Sequence, residues 1–283
     1  MIQAKVNEIK RDVKIFSGRL GKVYKKILYK LYSKKQAQAP KIQIVGDIDK
    51  FKNKIITAPA ELFLKFLPDK CIDLVLIDPP YGINVQQQVA KKLGGKRLSE
   101  RKYYWKMYDA ATANWDNERP SAELFKEIMR VSKKQIIWGG NYFADLLPPS
   151  QGWLVWNKGQ RGFSLADGEL AWTNIDKALR IFDYGRSQFS ADEKNERIHL
   201  TQKPIKLFKW CIEQAKLKQG AIVLDVFAGS CTTARACIEM GLDYICIDKD
   251  PDMIAKARKL TDKYKNQGKL FKPIEYKQEK LEV

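Results

Sequence analysis

The run Ile72-Asp73-Leu74-Val75-Leu76-Ile77 leads straight into Asp78-Pro79-Pro80-Tyr81-Gly82. The stretch Leu74–Ile77 is short, apolar and aliphatic, and reads as a buried strand. Two prolines then remove two backbone N–H donors and fix φ, so the strand must stop. What results is a rigid turn at the carboxyl end of a buried strand, where open α/β sheets place their ligands. The turn offers a carboxylate, proline carbonyls outside any ladder and an aromatic ring. An ordinary strand-ending turn explains an Asp-Pro pair; the four residues together, behind an apolar strand, point to a site.

A second stretch follows the same logic. Ile222-Val223-Leu224-Asp225 ends in an acid, and Val226-Phe227-Ala228-Gly229-Ser230 forms a small-residue turn before a helix from Thr232 to Met240. Glycine lets the backbone approach a ligand, and the helix start offers free N–H groups. Asp248 ends the next strand, Tyr244–Ile247, 23 residues after Asp225. An acid there suits the two hydroxyls of a ribose. The pyrophosphate fingerprint G-x-G-x-x-G is absent, and an acid at the first turn repels a pyrophosphate but accepts from an ammonium. A nucleoside joined to an amino acid, S-adenosylmethionine, answers both demands.

These residues resemble the amino-group DNA methyltransferases. The family's catalytic motif D/N/S-P-P-Y/F is similar to Asp78-Pro79-Pro80-Tyr81. Its cofactor motif D-x-F-x-G-S-G-T is similar to Asp225-Val226-Phe227-Ala228-Gly229-Ser230-Cys231-Thr232. Its H-P-T-Q-K-P motif is similar to His199-Leu200-Thr201-Gln202-Lys203-Pro204. The order is that of the circularly permuted β class. The segments 135–143 and 156–159 also resemble sequences found between these motifs. The resemblance covers roughly 54–262.

It implies a Rossmann-like α/β fold: a permuted, mixed seven-stranded sheet with one reversed strand and flanking helices. It implies that Asp78 and the Pro79 carbonyl accept from an exocyclic amine, within a turn stiffened by Pro80. Tyr81 would stack on a base flipped out of double-stranded DNA. It gives Asp225 the methionine end of S-adenosylmethionine and Asp248 the ribose. Phe227, Gly229 and Ser230 would shape the pocket floor, and Thr201 and Lys203 would approach the methionine end. An acid at the first motif position implies adenine N6; serine is more usual for cytosine N4. Neither a metal nor a cysteine nucleophile is called for.

Three positions depart from the family pattern. Cys231 stands at the second glycine, where a Cβ narrows the cofactor site or demands another backbone angle. Ala58-Pro59 stands where members have Gly-Asp near the cofactor's adenine, and Leu200 replaces a proline. These departures keep a silent, nucleic-acid-binding subunit open as an alternative, beside an N4-cytosine or RNA methyltransferase.

Charge agrees with a polyanionic partner. There are 52 Lys and Arg against 33 Asp and Glu, a formal net charge of +19. Such an excess suits phosphate contacts, although a basic solubilising surface or an anionic membrane would also fit charge alone. Residues 1–40 hold 11 Lys and Arg and two acids, with an apolar stripe at helical spacing. They read as a basic helical extension. The methyltransferase domain is expected over 41–263, with a basic, aromatic loop at 84–114 suited to closing over nucleic acid, and a charged tail at 264–283. No apolar stretch reaches membrane length and no signal segment is visible, so a cytoplasmic protein without membrane contact is expected. A single histidine and five cysteines without paired spacing give no metal site. Family members are often dimers, so the resemblance allows a homodimer.

Overall fold

The structure is a computed structural model, and it describes residues 48–84, 116–162, 166–194, 196–199 and 201–268. The expected basic helix at 1–40, the strand at 42–45, most of the basic loop at 84–114 and the last part of the tail lie outside the described residues. The chain divides into two units, Met1–Ile44 and Val45–Val283, and the sheet and helices described below belong to the second.

Eight strands form one sheet: β1 (Lys54–Thr57), β2 (Ile72–Ile77), β3 (Ser132–Trp138), β4 (Trp153–Asn157), β5 (Gly168–Thr173), β6 (Arg180–Asp183), β7 (Ile222–Asp225) and β8 (Asp243–Asp248). Their order is β1-β8-β7-β2-β3-β5-β4-β6. All ladders are parallel except those on either side of β5, which is the one reversed strand. The count is eight rather than the expected seven. The four-residue strand β6 pairs with β4 at the edge and exposes Ile181.

The helices are α1 (Ala60–Leu64), α2 (Ala122–Val131), α3 (Arg186–Asp192), α4 (Ile205–Ala215), α5 (Thr232–Met240) and α6 (Pro251–Gly268). Helix α2 begins where Ser121 accepts from the Leu124 N–H at 3.2 Å, as its N-cap position predicts. It buries Leu124, Phe125, Ile128 and Val131. Helix α6 continues to Gly268, beyond the expected end at Lys263. Helix α3 has no sequence signal beyond one buried apolar residue, Phe189.

Strand β2 sits between β7 and β3, with Leu74 opposite Val223 and Lys134. Leu74, Val75, Leu76 and Ile77 are fully buried. Burying each such side chain contributes about 1.5–3 kcal/mol, which fixes the strand end in space. Asp73 breaks the apolar run, but its carboxylate accepts from the Ile222 N–H at 2.9 Å and pairs with Lys133 at 2.8 Å. From β7 the chain crosses through α5 to β8 on one side; from β2 it crosses through α2 to β3 on the other. The strand order therefore reverses between β7 and β2. Such a switch point opens a crevice at the carboxyl ends of the strands.

Candidate active site

Three carboxylates stand at that edge. Asp78 follows β2 directly, Asp225 ends β7, and Asp248 ends β8. All three line one cavity of about 460 Å³. Pro80, Thr201, Lys203, Phe227, Gly229 and Ser230 line it as well. Pro79 and Tyr81, the other two predicted residues, are not among its lining.

Asp225 is held from two sides. Oδ1 accepts from the Phe227 N–H at 3.0 Å and Oδ2 from the Thr233 hydroxyl at 2.5 Å. Burial, with Asp248 and Asp78 adding like charge, still pushes its carboxyl up to about 7. Asp248 Oδ2 accepts from the Gly229 N–H at 2.8 Å, which ties the turn after β7 to the end of β8. Burial raises its carboxyl too.

Cys231 resolves the first departure. It adopts φ 56° and ψ 41°, the left-handed conformation that a glycine takes without strain. Its side chain is buried in the core and does not line the cavity. The backbone angle therefore carries the change, at a cost of about 1–2 kcal/mol, and the cavity stays open. At the second departure, Pro59 lines the cavity beside Ala60 and Glu61. Leu200 lies outside the described residues.

The turn after β2 is bound on every side. The Tyr81 hydroxyl donates to Asp78 Oδ1 at 2.6 Å. The Tyr81 and Gly82 N–H groups donate to Asp116 Oδ1 at 2.6 and 3.0 Å. The Asn84 N–H reaches the Asp116 carbonyl at 3.1 Å. The Tyr81 ring stacks on Tyr142 at 4.7 Å between centroids, 15° from parallel. Gly139 faces the same ring with φ +72°, and a Cβ built there would lie 2.2 Å from it. Only glycine fits that position.

Lys203 lines the cavity, but its ammonium is committed elsewhere. It lies 2.6 Å from Asp78 Oδ2 and 2.9 Å from Glu169 Oε2. Glu169 Oε1 in turn pairs with Lys158 at 2.5 Å. Burial alone would lower Lys203; Asp78 and Glu169 reverse that and hold it above lysine's ordinary value. Burial would raise Glu169; Lys203 and Lys158 outweigh it and hold the carboxyl at about 2. For Asp78 burial wins over Lys203, and its carboxyl is raised. Glu169 and Lys158 were missed as site residues: Glu169 belongs to no quoted motif, and the resemblance of segment 156–159 gives Lys158 no role.

The cavity's chemistry fits a nucleoside that carries an ammonium. A buried carboxylate at the end of β7, raised chiefly by its burial, and a half-buried one at the end of β8 call for a cation. Pro59, Phe227 and Met253 give apolar walls for a flat ring. Fold and site together define an α/β protein with one cavity at a parallel-sheet switch point, lined by carboxylates at the ends of β2, β7 and β8.

Comparison with known proteins sharpens this class. A family profile for N6 and N4 methyltransferases, described as DNA methylase, matches residues 155–259. The chain is 24% identical over 260 residues to the type II methyltransferase M.HinfI of Haemophilus influenzae, spanning 75% of this chain and 69% of that one. It is 24% identical over 243 residues to the type II methyltransferase M2.DpnII of Streptococcus pneumoniae, spanning 74% and 90%. Among solved structures, the M1.HpyAVI–SAM complex is 18% identical with TM-score 0.44, covering 73% of this chain and 98% of that one. The cytosine-N4-specific PvuII DNA methyltransferase is 14% identical with TM-score 0.46, covering 76% and 92%. The profile and the two relatives are those of DNA methyltransferases, and they support an amino-methyltransferase family for this chain. Among the described residues, no group of His, Cys, Asp or Glu is arranged to hold a metal, and no helix is long and apolar enough to cross a membrane.

Proposed function

We propose that the protein methylates the exocyclic N6 amine of an adenine flipped out of double-stranded DNA. The observation that carries this reading is the placement of Asp78. Its half-buried carboxylate opens into the same cavity as Asp225 and Asp248, beside the strand that carries Asp225.

S-adenosylmethionine supplies a methyl group on a sulfonium, activated for in-line transfer with a neutral thioether as leaving group. Asp225 would hold its ammonium end and Asp248 its ribose hydroxyls. Phe227, Gly229, Ser230 and Thr201 would shape the wall between them. The chain's remaining task is the amine. An amine on a purine ring is a poor nucleophile because its lone pair is delocalised into the ring. Asp78, together with the Pro79 carbonyl, accepts from the two N–H groups and favours a pyramidal nitrogen with a localised pair. Pro80 keeps the turn rigid while this happens. The proton that the nitrogen sheds after transfer passes to Asp78. Positioning, and hydrogen bonds that strengthen as charge develops, would supply most of the acceleration.

Tyr81 is held as the base-stacking ring, with Tyr142 on its face. A base can stack there only if Tyr142 moves aside or lies on the far side of the base. The acid at the first motif position supports adenine over cytosine. The departure at Cys231, which kept a silent subunit open, leaves the cavity intact.

Incubation with methyl-labelled S-adenosylmethionine and either duplex DNA or RNA, followed by digestion to nucleosides, tests the reading. The label is expected in N6-methyladenine from DNA. Label in cytosine, or from RNA alone, would refute it.

A further inference from the structure

We propose that Glu169 is a positioning residue for methyl transfer: by sharing the Lys203 ammonium with Asp78, it leaves the Asp78 carboxylate free to accept from the incoming amine. The inference rests on the proposed reaction but concerns Glu169, which no quoted motif includes. Four charges alternate across the sheet edge, Lys158–Glu169–Lys203–Asp78, with contacts of 2.5, 2.9 and 2.6 Å. They come from four separate places: just after β4, strand β5, the segment before α4 and the turn after β2. The Lys203 side chain is 6% exposed. Three charge-assisted contacts in so buried a place need every partner, because an ammonium left with one anion would grip it alone.

That grip matters for the chemistry. Asp78 already accepts from Tyr81 at Oδ1 and from Lys203 at Oδ2. A carboxylate has lone pairs to spare, but a full one-to-one ion pair with Lys203 would drain its acceptor strength. Glu169 competes for the same ammonium and keeps Asp78 basic. Lys158 limits how far Glu169 can draw Lys203 away.

The sign pattern follows from charge alone. Removing Glu169 takes a negative charge from Asp78's surroundings and leaves it the whole of Lys203, so its carboxyl becomes more acidic. Removing Lys203 or Lys158 takes away positive charge, so it becomes less acidic. The other groups facing this cluster are unchanged in every variant. They are Asp225 from β7, Tyr81 and Tyr142 from the turn side, His199 from the segment before α4, and Cys211 from α4.

The test uses the full chain with carboxyl-labelled aspartate. The Asp78 titration is followed by carbon NMR in the wild type and in Glu169→Gln, Lys203→Met and Lys158→Gln. The midpoint should fall by about one unit in Glu169→Gln and rise by about one unit or more in Lys203→Met, with a smaller rise in Lys158→Gln. The acidic limb of kcat should move in the same directions, and Glu169→Gln should lose about tenfold in kcat with cofactor affinity kept. If Glu169→Gln does not fold, the two lysine variants still carry the sign test. Equal midpoints in all variants, or a rise in Glu169→Gln, would overturn the proposal. So would an unchanged kcat in Glu169→Gln. The titration is read without substrate. A wild type that transfers no methyl while the midpoints alternate would therefore refute the activity and not the charge sharing.

Discussion

In the proposed role of holding the cofactor's ammonium, Asp225 would make cofactor binding a proton-linked event. In the free protein its carboxyl sits at about 7, because it is buried beside Asp248 and Asp78. An ammonium bound against it offsets that burial with an opposite charge and brings it back toward the ordinary carboxylate range of about 4. Only the ionised form binds the ammonium well, so protonation competes with the cofactor. With a free value near 7, about half of the sites carry the proton at pH 7 and about nine-tenths at pH 6. The dissociation constant should then be about fivefold weaker at pH 6 than at pH 7, with nearly one proton released per cofactor bound at pH 6. The sign is fixed: a group whose acidity increases on binding releases a proton, and affinity falls as pH falls. The cofactor's own amino group stays mainly charged over this range, its ordinary value being about 7.7–8.0. Calorimetric titration with S-adenosylmethionine in two buffers of different ionisation enthalpy measures both quantities. Asp225→Asn should bind more weakly and lose the pH dependence. A flat affinity from pH 6 to 7.5 without proton release would refute the reasoning, as would an unchanged pH dependence in Asp225→Asn.

Two further outcomes are expected. Asp78→Asn should lower kcat by about 10²- to 10⁴-fold, the range for removing a positioned acceptor and proton acceptor, while the S-adenosylmethionine dissociation constant changes by less than about threefold; equal loss of both would mean that the residue belongs to the cofactor half. Gly139→Ala should cost about 1–3 kcal/mol and melt several degrees lower, because its Cβ meets the Tyr81 ring and its φ is positive; a melting temperature equal to the wild type would show that Tyr81 is free to move.

The strand ends were legible because their chemistry is local. Aliphatic runs stop at Asp78-Pro79-Pro80 and at Asp225, and the sheet then places those stops side by side. The helix over 122–131 was legible from Ser121 and its apolar spacing, and Pro204 marked the start of α4. The partners of Lys203 were not legible. Asp78 lies 125 positions away in the chain, so only the assembled sheet brings the two charges together. Thr233 was overlooked for the opposite reason: it stands in a motif-bearing helix, but a threonine there reads as ordinary helix. The count of seven came from the family resemblance; the run 178–182 reads as a strand in the sequence, and β6 forms there at the edge of the sheet. For Cys231 the sequence left two outcomes open, and the backbone settled them by taking a glycine-like angle rather than giving up cavity space.

The clasp around Asp116 has a consequence for how this protein can change. Asn84 and Asp116 are joined by a backbone hydrogen bond, and the same aspartate grips the turn that carries Tyr81. The two ends of the interval 85–115, Asn84 and Asp116, therefore meet in one gate beside Asp78. Closing such a gate costs entropy that grows only slowly with the length enclosed. That interval can lengthen, shorten or be exchanged as a cassette while the sheet, the cofactor half and Asp78 keep their places.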